Sequence, residues 1–369
     1  MRVAYDSQIF SGQIYGGVSR YFCEIASRLA NSADVDVKIA APMYVNAYLE
    51  KLPRDLICGF HSPFPYDFLK LYQRATSMFL GDLVLRSLSL DIVHETYYFK
   101  YPLGPKKAGR VLTIYDMIHE RFQSQFQYGD KTSTHKAVAA ARAEHIICIS
   151  ESTKKDAIEI LGLNPEKISV IPLGFDLMVD NEHINTGLPS EISKPFLLFV
   201  GTRGGYKNFL PMLQVYAKST LLRSEFNLIC FGGGSFNKDE SLAIKKLGLN
   251  LDQVVHMSGD DQLLAQLYKN ASAFVFPSLY EGFGIPPLEA MFYDCPVVCS
   301  NTSSIPEVVG DAGLYFNPYD ADDMQTAIES VIQSNELRES LIAKGKVRLK
   351  LFSWDKCAAE TLEVYKRLI

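Results

Sequence analysis

The sequence predicts an α/β protein of two doubly wound domains, each a parallel sheet covered by helices. Short apolar runs alternate with amphipathic stretches along all 369 residues, the pattern of buried parallel strands joined by crossover helices. The alternation dissolves once, from about Ile171 to Lys194, into Pro, Gly, Asn and Asp. Each half opens on a strand, a tight loop and a helix start, an arrangement that aims backbone N–H groups at a phosphate. At roughly 150 residues per domain, the length also favours two domains.

In the first half the strands are placed at Val3-Ala4-Tyr5, Val35 to Ala40, Ile92-Val93, Val111 to Ile114 and Ile146 to Ile149, with a helical pattern from Val18 to Leu29. The second half restarts with Phe196 to Val200 and continues through Leu228 to Phe231, Val254-Val255, Phe274 to Phe276 and Val297 to Cys299. The boundaries expected are a first domain over 1–175, a linker over 176–194 and a second domain over 195–350. An amphipathic helix over 351–369, with Trp354, Leu362, Val364 and Tyr365 for packing, is expected to return to the first domain. Leu69 to Leu90 is a long apolar-aromatic stretch, read as a core helix or helix pair in preference to a membrane-surface element.

Composition narrows the function classes. Hydrophobic residues make up 47% and charged residues 21%, the balance of a soluble globular protein with a full core. The net charge of -5 supplies no bulk basic field for nucleic acid. No apolar run reaches the length needed to span a bilayer, and the start Met-Arg-Val-Ala-Tyr-Asp reads as a strand and not as a signal peptide, so a cytoplasmic protein is expected. The seven scattered cysteines lack metal-ligand spacing and are read as reduced, structural thiols.

The most informative segment is Phe274 to Met291. A buried strand ends at Pro277, a loop carries Glu281-Gly282-Phe283-Gly284, and a helix opens near Pro286-Pro287, where proline's missing N–H has no intrahelical partner to lose. Gly282 and Gly284 allow close backbone approach to a ligand, and the helix N-terminus favours an anion such as a diphosphate. Glu289, in the opening turns, is placed to accept from ribose hydroxyls, and Glu281 to face whatever hangs from the phosphates. The plain alternative is a strand-turn-helix with surface glutamates.

Two glutamates eight residues apart around a Gly-Phe-Gly resemble the E-x7-E motif of the retaining GT-B glycosyltransferases of family 4. The likeness extends downstream through Ser303-Ser304-Ile305-Pro306-Glu307 and Gly310-Asp311-Ala312-Gly313. Upstream, Val200-Gly201-Thr202-Arg203 with Tyr206-Lys207-Asn208 is similar to that family's phosphate-clamping loop. The resemblance implies a GT-B fold of two Rossmann-like domains facing an interdomain cleft, the first binding the acceptor and the second the nucleotide sugar, with closure about the linker. It also implies a nucleotide-diphosphate sugar as donor, Arg203 and Lys207 as a cationic clamp in place of a metal, and no cofactor. Glu281 would orient donor-sugar hydroxyls. Retention would let a β-phosphate oxygen take the acceptor's proton, so no enzymatic base is required.

The same resemblance places Tyr15-Gly16-Gly17-Val18-Ser19-Arg20 as a glycine loop near donor phosphate or acceptor, with Arg20 serving that anion or a helix-surface salt bridge. Many relatives have a His-Asp pair where this chain has Tyr115-Asp116; His119, nearby, then either contacts sugar or acceptor or simply finishes the turn. His94 is a weaker cleft candidate, and Ser150 is expected to cap the helix that follows it. Asp34-Val35-Asp36 and Asp320-Ala321-Asp322 fit a DXD pattern but are read as surface acids. GDP-mannose and dTDP-rhamnose are the favoured donors, ahead of UDP-sugars. A glycan or lipid-linked glycan in surface-polysaccharide or O-antigen synthesis is the implied acceptor, met by peripheral contact at the inner membrane. The alternatives are a sugar-nucleotide epimerase on the same fold and a non-catalytic sugar-binding protein.

Overall fold

The computed structural model describes residues 1–62, 66–176, 187–189, 192 and 194–369, with backbone alone for 66–71. The expected linker over 176–194 therefore lies almost wholly outside the described residues. The chain divides into two compact units, Met1–Gly174 with Ser353–Ile369, and Phe175–Phe352.

In the first unit the strands are β1 (Arg2–Tyr5), β2 (Asp36–Ile39), β3 (Met43–Tyr44), β4 (Phe60–His61), β5 (Ile92–Glu95), β6 (Gly109–Ile114), β7 (His145–Cys148) and β8 (Ile168–Val170). Six of them form a wholly parallel sheet in the order β2-β1-β5-β6-β7-β8, while β3 and β4 pair apart. Val3 pairs with Ile92, and all four residues of β5 are buried, as a sheet covered on both faces requires. The helix Gly17–Leu29 turns Tyr21, Phe22, Ile25, Ala26 and Leu29 inward at helical spacing.

The C-terminal helix Trp354–Lys366 packs beside Gly17–Leu29 in this same unit. Its Tyr365 hydroxyl lies 2.6 Å from His94 Nδ1 and 3.3 Å from the Tyr5 hydroxyl. At Gly174 an added Cβ would fall 2.3 Å from the Trp354 backbone nitrogen, so the chain can run there only as glycine. The stretch Tyr66–Ser87 is one helix. Gln73, Ser77 and Leu85 are buried on one side, whereas Tyr72, Phe79, Leu80 and Leu83 are exposed on the other. Leu85 joins the core cluster of Val93 and Leu103, so among the described side chains the helix packs on the core by one face and leaves the other exposed.

The second unit contains β9 (Phe196–Val200), β10 (Asn227–Phe231), β11 (Val254–Met257), β12 (Ala273–Phe276), β13 (Val297–Ser300) and β14 (Gly313–Phe316). They form a parallel sheet in the order β11-β10-β9-β12-β13-β14. Counted from β9 this is 3-2-1-4-5-6, the doubly wound order whose chain direction reverses between the first and fourth strands. Loops leaving β9 and β12 diverge at their carboxyl ends, which opens a crevice there. The core under it packs Leu197, Phe199, Phe209, Leu213, Leu228 and Val275.

Candidate functional site

The crevice of the second unit brings together two of the expected residues. After β9 the chain passes Gly201 to Gly205, makes a 3₁₀ turn over Gly205–Lys207 and enters the helix Phe209–Lys218 through Asn208 at φ 59. Asn208 Nδ2 donates to the Pro318 carbonyl, which fixes that left-handed residue. The turn is tied across the crevice by the Leu279 N–H donating to the Tyr206 carbonyl at 2.7 Å. Lys207 Nζ consequently reaches Glu281 Oε1 at 2.7 Å, with the Tyr206 and Phe276 rings 5.4 and 5.8 Å away. An ammonium has three N–H donors and Glu281 takes one of them.

Arg203 does not stand beside Lys207 as a second free cation. Its side chain is 1% exposed and its Nε donates to Glu240 Oε1 at 3.1 Å. The other nitrogens donate to the Gly232, Gly234 and Ser235 carbonyls, and the guanidinium lies over the Phe236 ring. Three successive glycines, Gly232 to Gly234, hold positive φ and turn their carbonyls onto that one side chain. Of the two cations expected to form a clamp, only Lys207 stands at Glu281, while Arg203 fastens the glycine turn after β10.

Beyond β12, the loop Pro277 to Gly284 is suspended on hydroxyls from the loop after β13. The Glu281 N–H donates to Ser303 Oγ at 2.9 Å, and Ser304 Oγ lies 2.8 and 2.7 Å from the Glu281 and Phe283 carbonyls. Ser300 Oγ donates to the Ser278 carbonyl. Ser303 adopts φ 53 to make its contact. Sequence reading quoted Ser303 and Ser304 only as part of a motif and gave them no role. Their partners lie more than twenty residues away, and local pattern does not reveal such pairings.

The helix Ile285–Phe292 then opens behind Gly284 at φ 129, with prolines in its first turn and no side-chain cap or acidic residue there. Its amino end is left positive by the peptide dipoles. Phe283 is buried, edge-on to Phe352 at 5.6 Å, so its side chain anchors the loop. Glu289 sits in the second turn. Its Oε2 accepts from the Tyr268 hydroxyl at 3.0 Å, and it lines a small recess with Asp261, Leu264 and Tyr293.

Within the first unit, the strand order reverses between β1 and β5, and Asp6 spans that point. Its buried carboxylate accepts from the Thr96 hydroxyl and N–H and from the Gln8 N–H and side-chain amide. Burial pushes its carboxyl up to about 6 despite those bonds. Gly16 and Gly17 start the helix Gly17–Leu29, Gly16 in extended conformation. Arg20 lies 3.6 Å from Glu24, the helix-surface pairing left open above.

His119 lies on the single turn Ile118–Arg121, stacked on Phe126 at 3.9 Å and with Nε2 3.7 Å from Asp130 Oδ2. Tyr115, four residues earlier, is 8% exposed and edge-on to Tyr21, and its hydroxyl has no protein partner. His94 leaves the list of candidates: it is fully buried, its Nε2 lies 2.8 Å from the Thr113 hydroxyl, and burial holds its imidazole down at about 3. Ser150 accepts from the Thr153 N–H as a helix cap, and Asp320 caps the helix Ala321–Gln333. None of the seven cysteines is paired.

Both halves of the chain match known protein families. Residues 15–178 match the family profile described as Glycosyltransferase Family 4, and residues 181–348 that described as Glycosyl transferases group 1. O-antigen chain mannosyltransferase B of Escherichia coli is 38% identical over 175 residues, 47% of this chain and 46% of that protein. The serotype-specific mannosyltransferase WbdA of Escherichia coli is 28% identical over 315 residues, 78% of this chain and 38% of WbdA. The chain thus spans less than half the length of these relatives. Sucrose-phosphate synthase from Thermosynechococcus elongatus superposes with a TM-score of 0.72 at 18% identity, covering 100% of this chain and 98% of that one.

Proposed function

The chain belongs to the group 1, family 4 glycosyltransferases of GT-B fold, and from that premise we propose that it transfers a hexosyl group, mannose foremost, from a nucleoside diphosphate to a glycan. The observation that carries the reading is the 2.7 Å contact of Lys207 with Glu281 at the point where the second sheet reverses, beside the open amino end of Ile285–Phe292. A diphosphate laid against the Gly282–Gly284 backbone meets the helix dipole and the remaining N–H groups of Lys207. Glu281 then faces the hydroxyls of the sugar attached to the β-phosphate, and Glu289 serves the ribose.

In the transfer, the bond from the anomeric carbon to the β-phosphate oxygen breaks and a bond from that carbon to the acceptor oxygen forms. The acceptor's proton passes to the departing β-phosphate, and configuration is retained. Negative charge grows on the leaving phosphate, where Lys207 stabilises it without a metal. GDP-mannose is the first donor to test, since the most similar relatives quoted above are mannosyltransferases by name; dTDP-rhamnose and UDP-sugars follow. The acceptor is a glycan or lipid-linked glycan of a surface polysaccharide. Among the described residues no helix is long and apolar enough to cross a membrane. Peripheral contact through Tyr72, Phe79 and Leu83 would bring the protein to a lipid-linked acceptor.

A melting panel with GDP, dTDP, UDP, ADP and CMP, each with and without EDTA, tests the reading. Stabilisation by one nucleoside diphosphate, preserved in EDTA and followed by transfer from the matching sugar donor, is expected. No response to any nucleotide would overturn it.

A further inference from the structure

Downstream of β6 the first unit makes the helical turn Ile118–Arg121, a 3₁₀ turn Gln123–Gln125 and a loop to Asp130, then enters the helix Thr132–Arg142. These pieces enclose an open hollow of about 450 Å³ whose lining includes His119, Gln123, Gln127, Tyr128, Ser133 and Thr134. We propose that this hollow is a subsite for a sugar ring of the acceptor glycan. The proposal rests on the transferase reading and goes beyond it by naming where the acceptor chain is held.

The lining chemistry selects a neutral polyol. The amides of Gln123 and Gln127 and the hydroxyls of Ser124, Ser133 and Thr134 offer both donors and acceptors, which suits vicinal hydroxyl groups that do the same. Neither Lys nor Arg lines the hollow, and its Asp130 carboxylate disfavours an anion such as a phosphate. Its one carboxylate, Asp130, accepts from the Thr132 N–H at 2.7 Å. The Thr132 contacts and the nearby His119 hold that carboxyl below its usual range, keeping it an acceptor for sugar hydroxyls. Tyr128 is fully exposed at the rim beside Gly129 at φ 92, and offers a flat apolar face to the C–H side of a pyranose.

The hollow is also held in shape. His119 stacks on Phe126 with their planes 20° apart and faces Asp130, so two walls brace each other. Beneath them Lys136, fully buried, donates to Glu120 Oε2 and to the Asp116 carbonyl, both at 2.8 Å. That ion pair pins the turn carrying His119 to the helix carrying Ser133 and Thr134. A site fixed beforehand loses less freedom when it binds. An aromatic ring left wholly in water at the lip of such a polar hollow has no packing role in the unit.

Saturation-transfer NMR on the full chain decides the matter without turnover. The probes are α-linked oligosaccharides of mannose, rhamnose, glucose and galactose, and the GDP and UDP melting shifts are read on the same samples. At least one sugar series should receive saturation, with affinity falling about tenfold in Tyr128→Ala and in Gln127→Ala, kept in Tyr128→Trp, and untouched in Tyr101→Ala, an exposed ring elsewhere in this unit. No signal from any series, or equal affinity in Tyr128→Ala and Gln127→Ala, overturns the subsite. A sugar signal without any nucleotide response would instead remove the transferase reading and leave a sugar-binding hollow.

Discussion

Lys207 and Arg203 are four residues apart, yet the fold gives them different work. Lys207 meets Glu281 and keeps N–H groups for a ligand, so Lys207→Ala should lower kcat/KM by the equivalent of about 2 to 4 kcal/mol, the loss of one preorganised charge-stabilising group. Arg203 is buried against Glu240 and three carbonyls. Arg203→Ala leaves Glu240 without its ion-pair partner and should destabilise the second unit by about 3 to 5 kcal/mol, read as a lower denaturant midpoint. A folded Arg203→Ala with wild-type stability and lost activity would return it to the clamp. Asp6 and His94 form a second contrast. The raised Asp6 carboxyl contributes stability that is present below its unfolded pKa and lost as pH rises through about 6. The depressed His94 contributes stability present above its unfolded pKa and lost as pH falls through about 3. Between pH 4 and 6 the two slopes oppose. Asp6→Asn should therefore make the melting temperature rise more steeply over that window than in the wild type; parallel profiles would show that Asp6 titrates normally.

Single elements place the loop that carries Glu281. The loop Pro277 to Gly284 has little structure of its own and takes its shape from Ser300, Ser303 and Ser304 on the connection after β13. Ser304→Ala strips the hydroxyl donor from two buried carbonyls and should cost about 1 to 3 kcal/mol in denaturant unfolding. It should also raise the KM for donor, because Glu281 and the glycine N–H groups lose their common support. An unchanged midpoint and KM would show that the loop holds its shape unaided. The helix Tyr66–Ser87 carries the proposed lipid contact on its exposed face. Phe79→Ser with Leu83→Ser should reduce co-sedimentation with anionic lipid vesicles while leaving the melting temperature near that of the wild type, since both side chains face water. Equal sedimentation of variant and wild type would remove the membrane role. Strand positions were legible because β9 and its neighbours are continuous apolar runs. Four strands were not: β3 and β4 are two residues each, β8 and β14 are three and four, and β14 is half-buried over most of its length.

At the level of the whole chain, the last seventeen residues belong to the unit formed by the first 174. Trp354 packs near Tyr21, and Tyr365 closes over His94 and Tyr5 in a fully buried position. Deleting Ser353 to Ile369 should strip amide-exchange protection from β1, β5 and β6 while β9 to β13 keep theirs. Removing so much buried aromatic volume leaves a cavity that the first core cannot close. Loss of protection in both sheets, or in neither, would contradict that division.

By itself the sequence determined the two parallel sheets and the strand-loop-helix around Glu281, and the resemblance of its motifs pointed to the family. The sheets and the strand-loop-helix rest on periodicity or spacing within a short window, where backbone preference and burial act locally. Only the tertiary structure decided that Arg203 braces a glycine turn while Lys207 remains with Glu281, that Phe283 is an anchor, and that His94 is a core residue. It also showed that Ser303 and Ser304 suspend the loop. Those outcomes depend on pairings such as Lys207 with Glu281 and His94 with Tyr365, 74 and 271 residues apart. Which buried polar group finds which partner is settled when distant strands and loops are brought together, because each one left unpaired costs about 1 to 3 kcal/mol.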